Sequence, residues 1–112
     1  MRNFKETEFV MGKTNVFNMM CPTLLNKLDQ LRDLVREPLT INSSYRSEEY
    51  NKSIGGRPKS QHLLGNAVDI HCDNSVLRHK IVTEAGSLGL TIGVAKTFVH
   101  VDNRELPIMF LY

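Results

Sequence analysis

The spacing of apolar residues changes several times along the 112-residue chain, and each change marks an element. Leu24, Leu25, Leu28, Leu31, Leu34 and Val35 recur at three- and four-residue steps, which is one apolar stripe on a helix. Pro22-Thr23 opens that helix and Pro38 stops it, so the predicted span is 22–36. Residues 39–43 alternate apolar and polar over a strand-length window. Ser47-Glu48-Glu49 forms the cap and acidic first turn of a short helix reaching Ser53. Gly55-Gly56-Arg57-Pro58 is a loop. Residues 67–71 are predicted as a buried strand, followed by a helix capped by Asn74 or Ser75 and running through Ala85, with Gly86 and Gly89 at its exit. Two β-rich runs, 90–95 and 98–101, are separated by Lys96-Thr97 in the manner of a hairpin. Residues 108–111 add a last edge strand.

Residues 1–20 predict an irregular arm: Gly12, Asn15 and Asn18 discourage a long helix, while Phe4 and Phe9 pack down on the rest. The expected fold class is α+β, a single domain over 1–112 with helices on one face of a small, mainly antiparallel sheet. A chain of this length buries a core that needs no staples. Its formal charge of +2 and the absence of a basic, aromatic-interleaved stripe argue against a nucleic-acid partner. Cys21 and Cys72 are expected as free thiols, Cys72 as a buried one, because no C-x-x-C spacing supports a metal role. Neither an apolar h-region near the N-terminus nor a run of roughly 18 apolar residues occurs. The expectation is therefore a protein made in a cytoplasm without a signal peptide, not inserted in a membrane, and monomeric.

Candidate chemistry lies in Ser60-Gln61-His62-Leu63-Leu64-Gly65-Asn66-Ala67-Val68-Asp69 and in Phe98-Val99-His100-Val101-Asp102. Strand parity puts Ala67, Asp69 and His71 on one face, and His100 with Asp102 on one face of the second strand. An inward carboxylate needs a partner, since an unpaired buried charge is very costly. One solution is a divalent metal held by His62, Asp69 and His100, two imidazoles and a carboxylate with an open position. An arginine or backbone amides for Asp69, and a structural His–Asp pair for His100 and Asp102, are the alternatives. His71 is a weaker candidate for a base, an oxyanion donor or a core histidine. His79, flanked by Arg78 and Lys80, is expected to face solvent.

Taken together, Ile41-Asn42-Ser43-Ser44-Tyr45-Arg46-Ser47, Asn51, Gly55-Gly56, Ser60-Gln61-His62, Gly65, Ala67, Asp69-Ile70, Gly93 and Phe98-Val99-His100-Val101-Asp102 with Arg104 resemble the zinc D-alanyl-D-alanine carboxypeptidase family. They look most like its small, endolysin-like phage and prophage members. The resemblance covers residues 39–105, and S-x-H-x-x-G-x-A-x-D followed by H-x-D is a specific pattern. It implies the core fold shared with the metal domain of hedgehog proteins and hydrolysis of peptidoglycan stem peptides in the bacterial cell wall. The resemblance alone makes the cytoplasm of synthesis that of a bacterial host. It implies Zn²⁺ held by His62, Asp69 and His100, and Arg46 facing a substrate carboxylate or the polarised carbonyl.

One position departs from the family. Many members carry an acid three residues before the last histidine, where this chain has Thr97. Asp102 is the local replacement as general base, or else the carboxylate that orients His100. Ser60 either hydrogen-bonds near the site or caps the loop, Tyr45 either flanks the substrate cleft or packs, and Gly65 lets the backbone turn beside the metal. The gap at Thr97 also leaves open a non-catalytic metal-binding module, structural or part of a virion, on the same fold.

Overall fold

The computed structural model describes residues 1–112. Two short strands, β1 (Val10–Met11) and β2 (Thr14–Asn15), form a small hairpin, and helix α1 spans Pro22–Val35. Strand β3 (Ile41–Ser43) leads to the short helix α2 (Glu48–Ser53), and β4 (Ala67–His71) to helix α3 (Ser75–Ser87). Strands β5 (Thr91–Val94), β6 (Phe98–Asp102) and β7 (Met109–Leu111) complete the chain. The main sheet has the order β3-β4-β6-β5-β7, antiparallel except for the parallel β5–β7 pair. This is an α+β fold, as the patterning predicts. No helix is long and apolar enough to cross a membrane.

Register divides the sheet into two chemical faces. Val68 pairs with Val101 and Ile70 with Val99, and these four enter the hydrophobic core with α1 and α3. On the opposite face Asp69 pairs with His100, and His100 with Gly93 on β5. The period-2 pleat thus separates a dry layer from a polar one within the same strands. Helix α2 does not join α1 and α3 in the core; it leads instead into the loop that walls the polar face.

The helix limits follow local chemistry. Pro22 occupies the first turn of α1, where its missing N–H costs nothing, and Arg36 ends it with φ 62°. Asn74 caps α3 by accepting from the Leu77 amide at 2.8 Å, and the helix continues to Ser87, two residues past the predicted end.

Two expectations are corrected. The arm 1–20 is not irregular: besides the β1–β2 hairpin it makes two 3₁₀ turns, at Glu6–Glu8 and Phe17–Met19. Phe4, Phe9, Val16 and Met20 are buried, and Phe9 meets Phe4 and Phe17 edge-on at 6.1 and 5.5 Å. Leu34 is exposed, whereas Asp29 is buried. At about 100° per residue, Leu25 and Leu34 fall on opposite flanks of the α1 stripe. The arm covers the Leu25 flank, where Asp29 accepts from the amides of Arg2 and Asn3, both at 3.1 Å. On the other flank Leu34 stays exposed.

Candidate functional site

His62 sits in a 3₁₀ turn, Gln61–Leu64, and Ser60 is the cap of that turn: its hydroxyl accepts from the His62 amide at 3.2 Å. Gly65 ends the turn with φ 66°, and a Cβ there would run into the Met19 carbonyl oxygen. Only glycine meets both demands, so the turn is pinned against the arm and His62 against β4. The imidazole is 2% exposed. Its Nδ1 lies 2.7 Å from the Ser44 carbonyl oxygen, which can only accept, so Nδ1 carries the proton. In the neutral ring, Nε2 then points a lone pair at Asp69 Oδ1, 3.2 Å away.

His100 repeats this logic from the other side. Its Nε2 donates to Asp102 Oδ2 at 2.7 Å, leaving Nδ1 at 3.0 Å from the same Asp69 Oδ1. The two rings lie 5.2 Å apart, and one ligand atom from each of His62, Asp69 and His100 falls within 4.8 Å of the others. Two imidazole lone pairs converging on a carboxylate oxygen are acceptors facing an acceptor. A proton relieves the clash, and so does a cation; this donor set fits a divalent metal. The structure brings together the three residues predicted as ligands.

Asp69 is held from behind by Arg46, whose Nη2 donates to Oδ2 at 3.1 Å. Arg46 also donates from Nε to Ser43 Oγ at 3.0 Å and from Nη1 to Asn51 Oδ1 at 3.2 Å. Asn51 is itself buried and donates to the Arg57 carbonyl at 2.8 Å. Asp102 has no solvent exposure. Besides His100, it accepts from Arg104 Nη2 at 2.7 Å, Arg104 Nε at 2.9 Å and the Arg104 amide at 3.1 Å. Four donors occupy its two oxygens, and it stands on the far side of the His100 ring from Asp69.

Other candidates fall outside the site. Tyr45 packs against the hydrophobic core and does not line the cleft, because in extended chain it faces away from its neighbour Arg46. His71 shares the parity of Asp69 but lies at the end of β4, half-exposed, 3.6 Å from the Asp73 carboxylate. Thr97 is an exposed residue of the β5–β6 turn, also outside the cleft, and His79 is exposed. Cys72 is a buried free thiol and Cys21 is free as well.

The site opens into a cleft of about 640 Å³. It is lined by the cationic side chains of Arg46, Arg57, Lys59 and Arg104 and by the aromatic rings of Phe98, Phe110 and Tyr112, with the Arg104 guanidinium 5.9 Å from the Phe110 ring centre. Phe110 and Tyr112 reach His100 at ring separations of 5.5 and 6.4 Å because Gly93 has no side chain: a Cβ would lie 2.5 Å from Phe110 and 2.9 Å from Tyr112. Sequence reasoning assigned no part in the cleft to these two aromatics, to Arg57 and Lys59, or to the Ser44 carbonyl. The available signals were the alternation of Phe110 and Tyr112 and the two-residue step from Asp102 to Arg104.

The electrostatics describe the metal-free case, in which a proton rather than a cation relieves the approach of an imidazole to Asp69. Burial pushes the Asp69 carboxyl upward, but hydrogen bonds with His100 and His62 outweigh it and hold the pKa well below the ordinary 3.8. Burial likewise pushes the Asp102 carboxyl upward, but hydrogen bonds from Arg104 and His100 outweigh it and hold its pKa below the ordinary 3.8. For His100 burial disfavours the charge, yet Asp102 and Asp69 raise its pKa above the ordinary 6.5. Burial, then the nearby Asp69 charge, pushes Tyr112 up to about 12.

A pH prediction follows for metal-free protein. The two depressed carboxylates contribute stability that is present above about pH 4 and lost as pH falls below it. The raised histidine contributes stability that is present below its unfolded pKa of about 6.5 and lost as pH rises through the folded value. These three groups therefore place maximal metal-free stability between about pH 4 and 6.5. Thermal melts of chelated protein across that range check this. A melting temperature still climbing above about pH 8 would contradict it.

A family model described as Peptidase M15 matches residues 2–102, nearly the whole chain. No curated protein sequence matches it. That match covers the arm, both core helices and every residue of the His–Asp–His cluster. The chain belongs to the peptidase M15 family of zinc-dependent metallopeptidases.

Proposed function

We propose that this protein hydrolyses stem-peptide bonds of bacterial peptidoglycan, as an endolysin-like endopeptidase or a D-Ala-D-Ala carboxypeptidase. The observation that carries this reading is the convergence of His62 Nε2 and His100 Nδ1 on Asp69 at the floor of an open cleft. These three residues would hold Zn²⁺. When bound, zinc supplies the Lewis acidity that makes water nucleophilic near neutral pH and polarises a carbonyl.

The protein's own groups prepare that chemistry. The Ser44 carbonyl and Asp102 each fix the proton on the outer nitrogen of a histidine, so that the inner nitrogen offers a lone pair. Of the two roles open to Asp102, orienting His100 is the one its full burial and four donors support; a base needs an oxygen that water can reach. Arg46 uses three of its five N–H groups inside the protein and keeps two for a substrate carboxylate or carbonyl. The rings of Phe110 and Tyr112 shield His100 from solvent on one side. Action on the wall follows release from the cell or assembly into a virion.

The test is incubation of zinc-loaded protein with purified peptidoglycan, with and without a chelator, and mass spectrometry of the released muropeptides. Chelator-sensitive release of cleaved stem peptides is the expected result, and the product masses name the bond. Stoichiometric zinc without any cleavage would replace this reading with a non-catalytic metal-binding module.

A further inference from the structure

The cleft carries more positive charge than its own chemistry uses. Of its four cationic residues, Arg46 is committed to Asp69 and Arg104 to Asp102. Arg57 and Lys59 make no ion pair within the protein, and both are exposed at the cleft wall. The only carboxylate lining the cleft is Asp69, already engaged by Arg46, His62 and His100. Nothing in the cleft therefore neutralises Arg57 and Lys59.

The two side chains are displayed by a built turn. The Ser60 amide donates to the Arg57 carbonyl at 3.1 Å, closing a four-residue turn with Pro58 at its second position, where a fixed φ is favourable. The same carbonyl accepts from Asn51 Nδ2 at 2.8 Å, and the Gly56 amide donates to the Asn51 carbonyl at 2.8 Å. Gly56 has no alternative here, since a Cβ would collide with the Asn51 side chain. Asn51 also bonds Arg46, so one buried amide couples the turn to the residue that holds Asp69. Arg57 and Lys59 are thus fixed at the backbone relative to the candidate metal site, and Ser60, the last residue of their turn, caps the one that carries His62. Tyr112, which lines the same cleft, lies within the field of Arg57.

We infer that Arg57 and Lys59 form a carboxylate subsite that makes the protein selective for acidic peptides, those with a free carboxylate beside the bond held at Asp69 and the two histidines. The inference rests on the peptidase reading for the identity of that bond, but the subsite is testable by binding alone. A guanidinium offers paired donors and an ammonium a mobile point charge, a combination that suits a carboxylate presented at varied angles. At an exposed site each charge-assisted pair is worth up to about fivefold in affinity, so the two together give on the order of tenfold.

The experiment compares two synthetic stem peptides that differ only in one side-chain group, a free carboxylate or its amide. Calorimetric titration into zinc-loaded protein is expected to show the carboxylate peptide binding about tenfold more tightly at low salt, the advantage shrinking as salt is raised. In the double variant Arg57→Gln, Lys59→Gln the preference should vanish; both positions are exposed, so the fold is not at risk. Equal affinity of the native protein for the two peptides, or a preference that survives in the double variant, overturns the inference. Hydrolysis of the same peptides is scored separately. Selective binding without cleavage of either would sustain the subsite and remove the peptidase reading.

Discussion

Replacing His62 with alanine is expected to abolish stoichiometric zinc binding and, with it, all peptide cleavage. The side chain is buried, and its outer nitrogen is fixed by the Ser44 carbonyl, so the inner nitrogen pays little ordering cost on binding a cation. Structural zinc sites with four protein ligands bind with about 10–16 kcal/mol, or roughly 3–4 kcal/mol per ligand. Losing one of three ligands therefore weakens affinity by on the order of 10² to 10³. Cleavage at limiting zinc should fall to background. A second readout does not depend on substrate. A ligand that binds only folded protein raises the melting temperature, so zinc should stabilise the native chain and leave the variant unmoved. Wall lysis that continued unaltered in His62→Ala, or a full equivalent of zinc retained after dialysis, would sink the assignment of the site.

The Asp102→Asn variant has the next largest expected effect, and its pattern separates the two roles of that residue. Asp102 accepts four hydrogen bonds, two at each oxygen, from His100 and Arg104. An amide has one oxygen. Wherever its NH₂ group falls, it confronts two donors, either His100 Nε2 with Arg104 Nη2 or the Arg104 amide with Arg104 Nε. In the first placement His100 loses the acceptor that keeps its proton on Nε2, and the tautomer with Nδ1–H turns a donor toward Asp69; in the second, Arg104 is driven off and no longer holds the group that orients His100. Zinc affinity is expected to drop about tenfold to 100-fold, with turnover largely recovered at saturating zinc. Breaking a buried charge pair also costs about 3–5 kcal/mol, so the metal-free melting temperature should fall. A general base behaves differently: zinc affinity would be retained while turnover fell by about 10² to 10⁴ even at saturating metal. That second pattern would return Asp102 to the catalytic role.

Much of the site was legible because strand parity is a local property. Asp69 alternates with Val68 and Ile70, and His100 with Val99 and Val101; a period of two needs no tertiary knowledge to assign faces. The turn holding His62 was legible for a similar reason, since Ser60 and Gly65 are the residues that backbone geometry demands at its two ends. The S-x-H-x-x-G-x-A-x-D spacing compresses those constraints into one string. The arm at 1–20 was not legible, because Phe9 is buried by Phe4, Phe17 and α1 rather than by any periodic neighbour, and Asp29 by amides 26 and 27 positions away. Tyr45 failed in the same way: adjacency to Arg46 suggested the cleft, while the extended backbone turned it into the core.

By itself, then, the sequence determined the order of elements from α1 onward and the polar faces of β4 and β6, which follow from short-range sterics and periodicity. The family resemblance then singled out the three residues whose lone pairs can meet. Only the tertiary structure decided what surrounds them. That the same Asp69 oxygen faces both histidines depends on the β4–β6 register and on the turn being pinned beneath Met19. That Asp102 is sealed behind His100 depends on Arg104 folding back over it. And the cleft acquires its aromatic and cationic lining because Gly93 admits Phe110 and Tyr112 while Asn51 anchors Arg57. Each of these joins residues far apart in the chain, and no local pattern encodes a contact whose partner is chosen by packing.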